Sequence, residues 1–486
     1  MYALSTRRRS GVDGPRPEWT PLMRIACWIC LLILPAFASA VADGPIEIGL
    51  RRELFVDRHL VDEIAGDAQL YLHRPEPHDV ALVTDAPWEG NTCAYYTVFQ
   101  DGDLYRMYYR GAHWDEQARK LAHREVTCLA ESKDGIHWTK PNLGLYEFDG
   151  SKENNIVWDG IGTHCFTPCK DQNPDCAPDA RYKAVARGSL RGQQGLFFFQ
   201  SPDGVHWTQI GDGPVITQGA FDSQNLAFWD SHAGLYREYH RTFENGVRAI
   251  MTGTSSNFAN WTDPVLLEYG DAPPQHLYTN AILSYSRAPH ILVGFPTRYL
   301  PSEDQRVEPT FMASRDGRTF HRWLEAVIPP DAPEDRDGDR GNYMAWGLLQ
   351  LPHSDRELSV YATEAYYTGP DSRIRRFSYR VDGFVSLRGS DEGGALVTKP
   401  ITFTGGQLAV NFATGDAGGL RVELQDADGN AIDGFALADC DALRGDEIEQ
   451  VVTWKESDDV GPLAGQPVRL RFEIADGDLY SFKFHE

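Results

Sequence analysis

Positive charge is scarce in this chain, cysteine is sparse, and long apolar runs are missing outside its N-terminal region. Lys plus Arg number 46 against 70 Asp plus Glu in 486 residues, a formal charge of −24. A polyanion such as DNA, RNA or an acidic membrane surface would be repelled at long range, so no nucleic-acid partner is expected. Without an apolar run of about 18 residues, no helical membrane span is expected in the mature chain. Gly-x-Ser-x-Gly, a phosphate-cradling loop and the His-x-x-x-His or His-Glu-x-x-His spacings are absent as well, which removes the usual serine-nucleophile, P-loop and zinc-protease chemistries. Helical periodicity is almost lacking. What remains is a globular composition, 12% aromatic with 29 prolines, over a length that calls for two or more domains.

From Met23 the chain reads as an export leader: Arg24, an apolar stretch from Ile25 to Phe37, then small-residue sites at Ala38-Ser39-Ala40 and Ala40-Val41-Ala42. Residues 1–40 are therefore expected to be a signal peptide with an N-terminal extension, and the mature protein to be secreted or periplasmic. Cys27 and Cys30 leave with it. The other six, Cys93, Cys128, Cys165, Cys169, Cys176 and Cys440, would face an oxidising compartment where disulfides are permitted. Cys165-x3-Cys169-x6-Cys176 lacks a fourth ligand of zinc-finger spacing, so a disulfide pinning this loop is expected rather than a metal. No cofactor is expected, and a structural calcium ion stays open, as does the oligomeric state.

A repeat carries most of the architectural information. Ser132-Lys-Asp-Gly-Ile-His-Trp138, Ser201-Pro-Asp-Gly-Val-His-Trp207, Ser255-Ser-Asn-Phe-Ala-Asn-Trp261 and Ser314-Arg-Asp-Gly-Arg-Thr-Phe320 each set Ser, a turn and an aromatic six residues on, with starts 69, 54 and 59 residues apart. Asp-Gly makes a tight turn between strands, and the aromatic packs between sheets. Four-stranded units at such spacing are the signature of a β-propeller. The expectation is an all-β chain, a five-bladed β-propeller over 45–384 followed by a β-sandwich over 385–486. Leu54-Phe-Val-Asp57 is read as the N-terminal strand completing the last blade, and the four turn motifs as scaffold.

In a propeller, side chains at or just before each blade's first strand converge on the central funnel. Trp88-Glu89-Gly-Asn91 precedes Tyr95, a segment holding His164, Lys170 and Asp171 precedes Tyr182, and Phe221-Asp222-Ser-Gln224-Asn225 precedes Leu226. Glu89, Asp171 and Asp222 would then come from equivalent places on three consecutive blades. In this the chain resembles the five-bladed glycoside hydrolases of families 32 and 43 and their relatives, in which the first three blades each deliver one acid to the funnel. Lys170-Asp171-Gln-Asn-Pro174 stands where family 32 has Arg-Asp-Pro, and Glu89-Gly-Asn91 and Asp222 stand where its other two acidic motifs would be. A sandwich after the propeller is also similar to family 32.

The resemblance implies a carbohydrate substrate and a hydrolytic carboxylate site. Breaking a glycosidic bond needs one acid to protonate the leaving oxygen and a carboxylate on the opposite face. Crowding acids in one funnel keeps one of them protonated. Glu89 is assigned as base or nucleophile, Asp171 as stabiliser and Asp222 as proton donor. Substrate-binding candidates are Trp88, Asn91, His164, Lys170 and Gln224, then His276, Tyr278 and Arg298 of blade four, and Asn342, Trp346 and Glu364 of blade five. Glu238 and Glu244 are rivals for the acid. The aromatic load suits sugar faces, and Arg298 and Lys170 leave room for an acidic sugar. The competing readings are a non-catalytic carbohydrate-binding propeller and a protein-interaction propeller.

Overall fold

The computed structural model describes residues 44–303, 305–329 and 343–486. The export leader and Asn342 lie outside the described residues. Residues Pro45–Glu486 form one compact unit, and among the described residues it contains strands and three short 3-10 turns but no α-helix. No helix there is long and apolar enough to cross a membrane.

Four antiparallel sheets follow one another along the chain, each in the order in which its strands occur. The first holds Ala94–Asp101, Leu104–Gly111, Val126–Ser132 and Ile156–Trp158, the second Thr167–Lys170, Tyr182–Leu190, Gln193–Ser201 and Thr208–Ile210. The third holds Leu226–Asp230, Leu235–Glu244, Val247–Ser255 and Val265–Leu266, the fourth Leu283–Tyr285, Ala288–Gly294, Met312–Ser314 and Phe320–Arg322. A fifth sheet joins Glu357–Glu364 and Arg373–Arg380 to Glu76–Val83 from near the N-terminus. Bridges from Met344 to Ala362 and from Leu349 to Ser359 place the 343–350 segment on its inner side.

The repeat motif is the hairpin between the third and fourth strands of a sheet. Ser132 Oγ accepts the Gly135 N–H at 2.9 Å, Asp134 Oδ1 accepts from the backbone of Ile136 and His137, and the Trp138 indole returns to the Gly135 carbonyl at 3.1 Å. The same bonds recur at Ser201, Asp203 and Trp207. Gly135 and Gly204 sit at φ 72° and 77°, where a side chain would be strained. Three of the four turns also receive a tyrosine from a neighbouring sheet: Tyr108 of the first donates to the Gly204 carbonyl of the second, Tyr239 of the third to Gly317 of the fourth, and Tyr361 of the fifth to Gly135 of the first. The fifth sheet thus packs beside the first, and a parallel bridge between Thr97 and Trp346 joins their inner segments.

A small sheet joins His276–Leu277, Thr297–Leu300 and Arg306–Pro309, a two-stranded hairpin joins Trp114–Asp115 to Lys120–Leu121, and the remaining strands form one large sheet around a separate apolar core that includes Phe55, Leu396, Phe412, Trp454 and Phe472. Its long strands, Val385–Thr398, Gln407–Asp426 and Val468–His485, also pair with N-terminal ones: Val61–Leu72 with Val385–Thr398, and Glu53–Leu54 with Val468–His485.

Three expectations are corrected. The strand beside the fifth sheet is Glu76–Val83, while Leu54 pairs with Ser481, because the buried face of Leu54 and Phe55 matches the large sheet's apolar interior. The first strand of the second sheet is Thr167–Lys170, and Tyr182–Leu190 is its second. The disulfide in the 165–176 loop does not form, and all six described cysteines are free thiols. Cys165 and Cys169 flank and occupy that first strand four residues apart, which in extended chain separates them by about 13 Å, beyond disulfide reach.

Candidate functional site

The inner segments of these sheets start at one end and finish at the other, and each end holds a cavity. At the starting end a cavity of about 450 Å³ is lined by Trp114, Tyr278, Tyr299, Tyr343, Tyr366 and Tyr367 together with Glu116, Arg119 and Arg248. At the finishing end a cavity of about 620 Å³ is lined by residues that include Lys170, Asp171, Trp229, Ser284 and Trp346.

The starting end carries an unbroken belt of rings. Trp114 meets Tyr367 at 6.2 Å between centroids, Tyr367 meets Tyr366 at 4.7 Å, Tyr366 meets Tyr343 at 5.4 Å, Tyr343 meets Tyr278 at 5.6 Å, and Tyr278 meets Tyr299 at 6.2 Å. Burial, then neighbouring phenols, pushes the Tyr343 hydroxyl well above its ordinary range, so it stays neutral. Tyr95, Ala365 and Tyr367 hold φ of 58°, 53° and 60°, a conformation that costs about 1 kcal/mol or more for each side chain.

Beneath the belt runs a row of charges. The Arg110 guanidinium lies 4.9 Å from the Tyr95 ring, donates to the Tyr366 hydroxyl at 3.0 Å and stands 3.6 Å from Glu125. Glu125 lies 2.9 Å from His164 Nδ1, and Asp222 lies 2.9 Å from His164 Nε2. Arg187 donates to Asp222 at 2.6 Å. The hydrogen bond from His164, and then the charges of His164 and Arg187, hold the Asp222 carboxyl well below its usual range although burial opposes them. Burial pulls Glu125 upward, but the His164 hydrogen bond and charge together with Arg110 more than reverse it, and the net shift is downward. Both carboxylates are therefore ionised acceptors, and the His164 ring stands between them with one nitrogen toward each. The Asp222 side chain is 56% exposed.

The three acids assigned from sequence do not converge. Glu89 is fully buried: it accepts from Tyr109 Oη at 2.5 Å, from the Ala86 N–H at 3.0 Å and from Lys140 Nζ at 2.6 Å, closing its own loop. Asp171 follows the inner strand instead of preceding it and lies at the finishing end, paired with Lys183 at 3.1 Å and accepting from Tyr236 at 2.7 Å. Its position recurs in register. Asp101 and Asp230 end the inner strands of the first and third sheets, and each pairs with the cation that follows a tyrosine on the next strand, Arg106 at 3.1 Å and Arg237 at 2.7 Å. Asp171 with Lys183 is the second sheet's copy of this strut. Only Asp222 stands at the starting end, and there it is ionised, the opposite of the protonated state a donor requires.

The binding candidates divide in the same way. His164 belongs to the charge row and Tyr278 to the ring belt, and His276 faces the same wall, its Nδ1 accepting the Arg248 N–H at 3.2 Å. Asn91 holds the belt in place by bonding both the N–H and the carbonyl of Trp114 and the carbonyl of Gly369. Gln224 braces the Tyr96 carbonyl from the third sheet. Trp88 donates to Asn155 at 2.7 Å, away from the cavity. Lys170 is paired with Asp101 at 2.8 Å, and Trp346 donates to the Ile282 carbonyl; both line the other cavity. Arg298 is neutralised by Glu308 and Glu364 by Arg375, and Glu238 lies 2.7 Å from His240 Nδ1.

Sequence reasoning missed Arg110, Glu125, Arg187, Arg241 and Arg248. Three of them had a signal. Tyr105-Arg-Met-Tyr-Tyr-Arg110, Tyr182-Lys-Ala-Val-Ala-Arg187 and Tyr236-Arg-Glu-Tyr-His-Arg241 repeat Tyr, a cation and Arg five residues after the Tyr on the second strand of three consecutive sheets. That strand runs back toward the starting end, so its last arginine arrives under the belt.

Among the described residues no group of three or more His, Cys, Asp and Glu side chains is set to hold a metal ion. No protein-family model matches this sequence, and no curated protein matches it. Solved structures similar to it include a thermostable family-43 glycoside hydrolase, at 12% identity and TM-score 0.43 over 66% of this chain and 96% of that one. The β-1,2-mannobiose phosphorylase of Listeria innocua is similar at 13% identity and TM-score 0.43, over 64% of this chain and 97% of that one. An N-acetylgalactosamine deacetylase from F. plautii is similar at 10% identity and TM-score 0.45, over 66% and 97%.

Proposed function

We propose that this chain is an exported five-bladed β-propeller, closed by Glu76–Val83 and backed by a β-sandwich, that takes a carbohydrate chain into the cavity at the starting end of its inner strands. The ring belt from Trp114 to Tyr299 carries this reading. Sugar C–H faces lie on such rings, and sugar hydroxyls need fixed donors and acceptors beside them, which the row from Arg110 to Arg187 supplies. Glu89 and Asp171 are both enclosed and ion-paired, so recognition of the glycan is the function the geometry supports best.

Hydrolysis is the second reading, and the half-exposed, ionised Asp222 favours it. Such a carboxylate can accept the proton of an attacking water or attack the anomeric carbon itself, while the proton for the leaving oxygen would come from a group other than Glu89 or Asp171. The test is sugar release and glycan binding across a polysaccharide panel, with the mature protein and Asp222→Asn. Release that falls by about a hundredfold or more in the variant while binding persists would establish the hydrolase. Binding without release leaves the recognition protein, and a chain that neither binds nor releases any glycan refutes the proposal.

A further inference from the structure

At the cavity stand arginines that no carboxylate among the described residues ion-pairs. Arg248 projects from the strand Val247–Ser255, with its guanidinium 4.4 Å from the Tyr299 ring and 5.2 Å from the Tyr278 ring. Its Nη1 lies 3.4 Å from His276 Nδ1, and its Nε is buried with no hydrogen-bond partner. Arg241 stands 5.0 Å from the same Tyr278 ring, with its Nε spent on the Ala220 carbonyl at 3.0 Å. Arg119 lines the cavity from the Trp114 hairpin. None of these three forms an ion pair with a carboxylate among the described residues, although the charge of Arg241 is felt by Asp222 and the chain carries 70 acids to 46 basic residues.

Several other arginines are matched to acids: Arg298 to Glu308, Arg315 to Glu53 and Asp57, Arg375 to Glu364, Arg187 to Asp222. The acid that lines the cavity beside Arg119, Glu116, is engaged by the Trp114 indole at 2.6 Å. His276 adds no charge, because burial and then Arg248 lower its ring below the ordinary histidine range, leaving it an acceptor at neutral pH. Guanidinium groups held on aromatic faces, with free N–H edges and no counter-ion, make a receptor for a sugar-borne oxyanion, which a planar fork can grip through two bonds.

Building on the carbohydrate reading above, we infer that the glycan taken by this cavity is anionic, its carboxylate or sulfate group seated on Arg248 with Arg119 and Arg241 nearby. Uronate and sulfate ester share the chemistry the site recognises, an oxyanion beside a sugar ring.

The test is calorimetric titration of the full mature chain with three oligosaccharide sets of matched length: neutral, uronate-containing and sulfated. At least one charged set is expected to bind about tenfold or more tightly than the neutral one, as a charge-assisted contact implies. That preference should shrink from about 0.02 M to about 0.3 M salt and vanish in Arg248→Gln. Which charged set wins distinguishes uronate from sulfate. Equal affinity for neutral and charged sets, or a preference that survives in a folded Arg248→Gln, overturns the inference and leaves the carbohydrate reading standing. Should the variant fail to fold, a wild-type preference that ignores salt overturns it equally. Failure to bind any glycan removes both.

Discussion

Glu53 joins the large sheet to the fourth sheet, and its replacement tests whether the two are one cooperative structure. It lies on the short strand that pairs with Val468–His485, is 1% exposed, and its two oxygens face His290 Nε2 at 3.1 Å and Arg315 Nη1 at 2.7 Å. Burial alone would raise its carboxyl, but the His290 hydrogen bond and the Arg315 charge outweigh burial and hold it down from 4.5 to about 2. The folded value lies below the unfolded one, so the stability contributed is complete above about pH 4.5 and is lost as pH falls toward 2. A displacement of that size corresponds to roughly 3 kcal/mol. Glu53→Gln keeps the shape but leaves Arg315 with Asp57 alone, and breaking a buried pair in this way costs about 3 kcal/mol or somewhat more. Urea unfolding followed by tryptophan fluorescence should show that loss at pH 7 and less than about half of it at pH 3. A difference under about 1 kcal/mol at pH 7, or one of equal size at both pH values, would refute the reasoning.

Asp171→Asn should lower stability by breaking the buried strut with Lys183 while leaving glycan affinity unchanged, and a stable variant with lost affinity would return Asp171 to the site. Tyr278→Ala interrupts the ring belt and removes the platform of Arg241 and Arg248, so glycan affinity should drop by about tenfold, read by calorimetry; unchanged affinity would move the site elsewhere. The mature protein, denatured without reductant, should show six titratable thiols, and a count of four would mean that one disulfide forms.

Much of the architecture was legible because turn chemistry is local. Ser, Asp-Gly and the aromatic six residues on make their hydrogen bonds within seven residues, so the pattern names its own hairpin whatever surrounds it. The N-terminal strand of the fifth sheet was not legible, because Glu76–Val83 and Glu53–Leu54 are both short N-terminal segments, and their partners lie some 300 to 430 residues away. The thiols illustrate the same limit. Three cysteines close in sequence suggest a bridge, yet extended chain spreads Cys165 from Cys169, and each thiol turns to the third sheet, toward the Phe221 and Ala227 carbonyls.

The site hinged on a single strand. Taking Tyr182–Leu190 as the first strand of the second sheet places Asp171 ahead of it, at the cavity mouth; with Thr167–Lys170 first, Asp171 moves to the opposite end and His164 takes the mouth position. Internal repetition could have corrected this, since residues that hold equivalent sheets together recur in register. Asp101, Asp171 and Asp230 do recur, each against Arg106, Lys183 or Arg237, and so need no explanation beyond the scaffold. Asp222 does not: four residues ahead of the inner strand, the first and second sheets carry Gly90 and Thr163. An acid without a counterpart in those two sheets, half exposed and held ionised by His164 and Arg187, is not part of the repeated scaffold, and a charged group set apart from the scaffold in this way is the kind that marks a site.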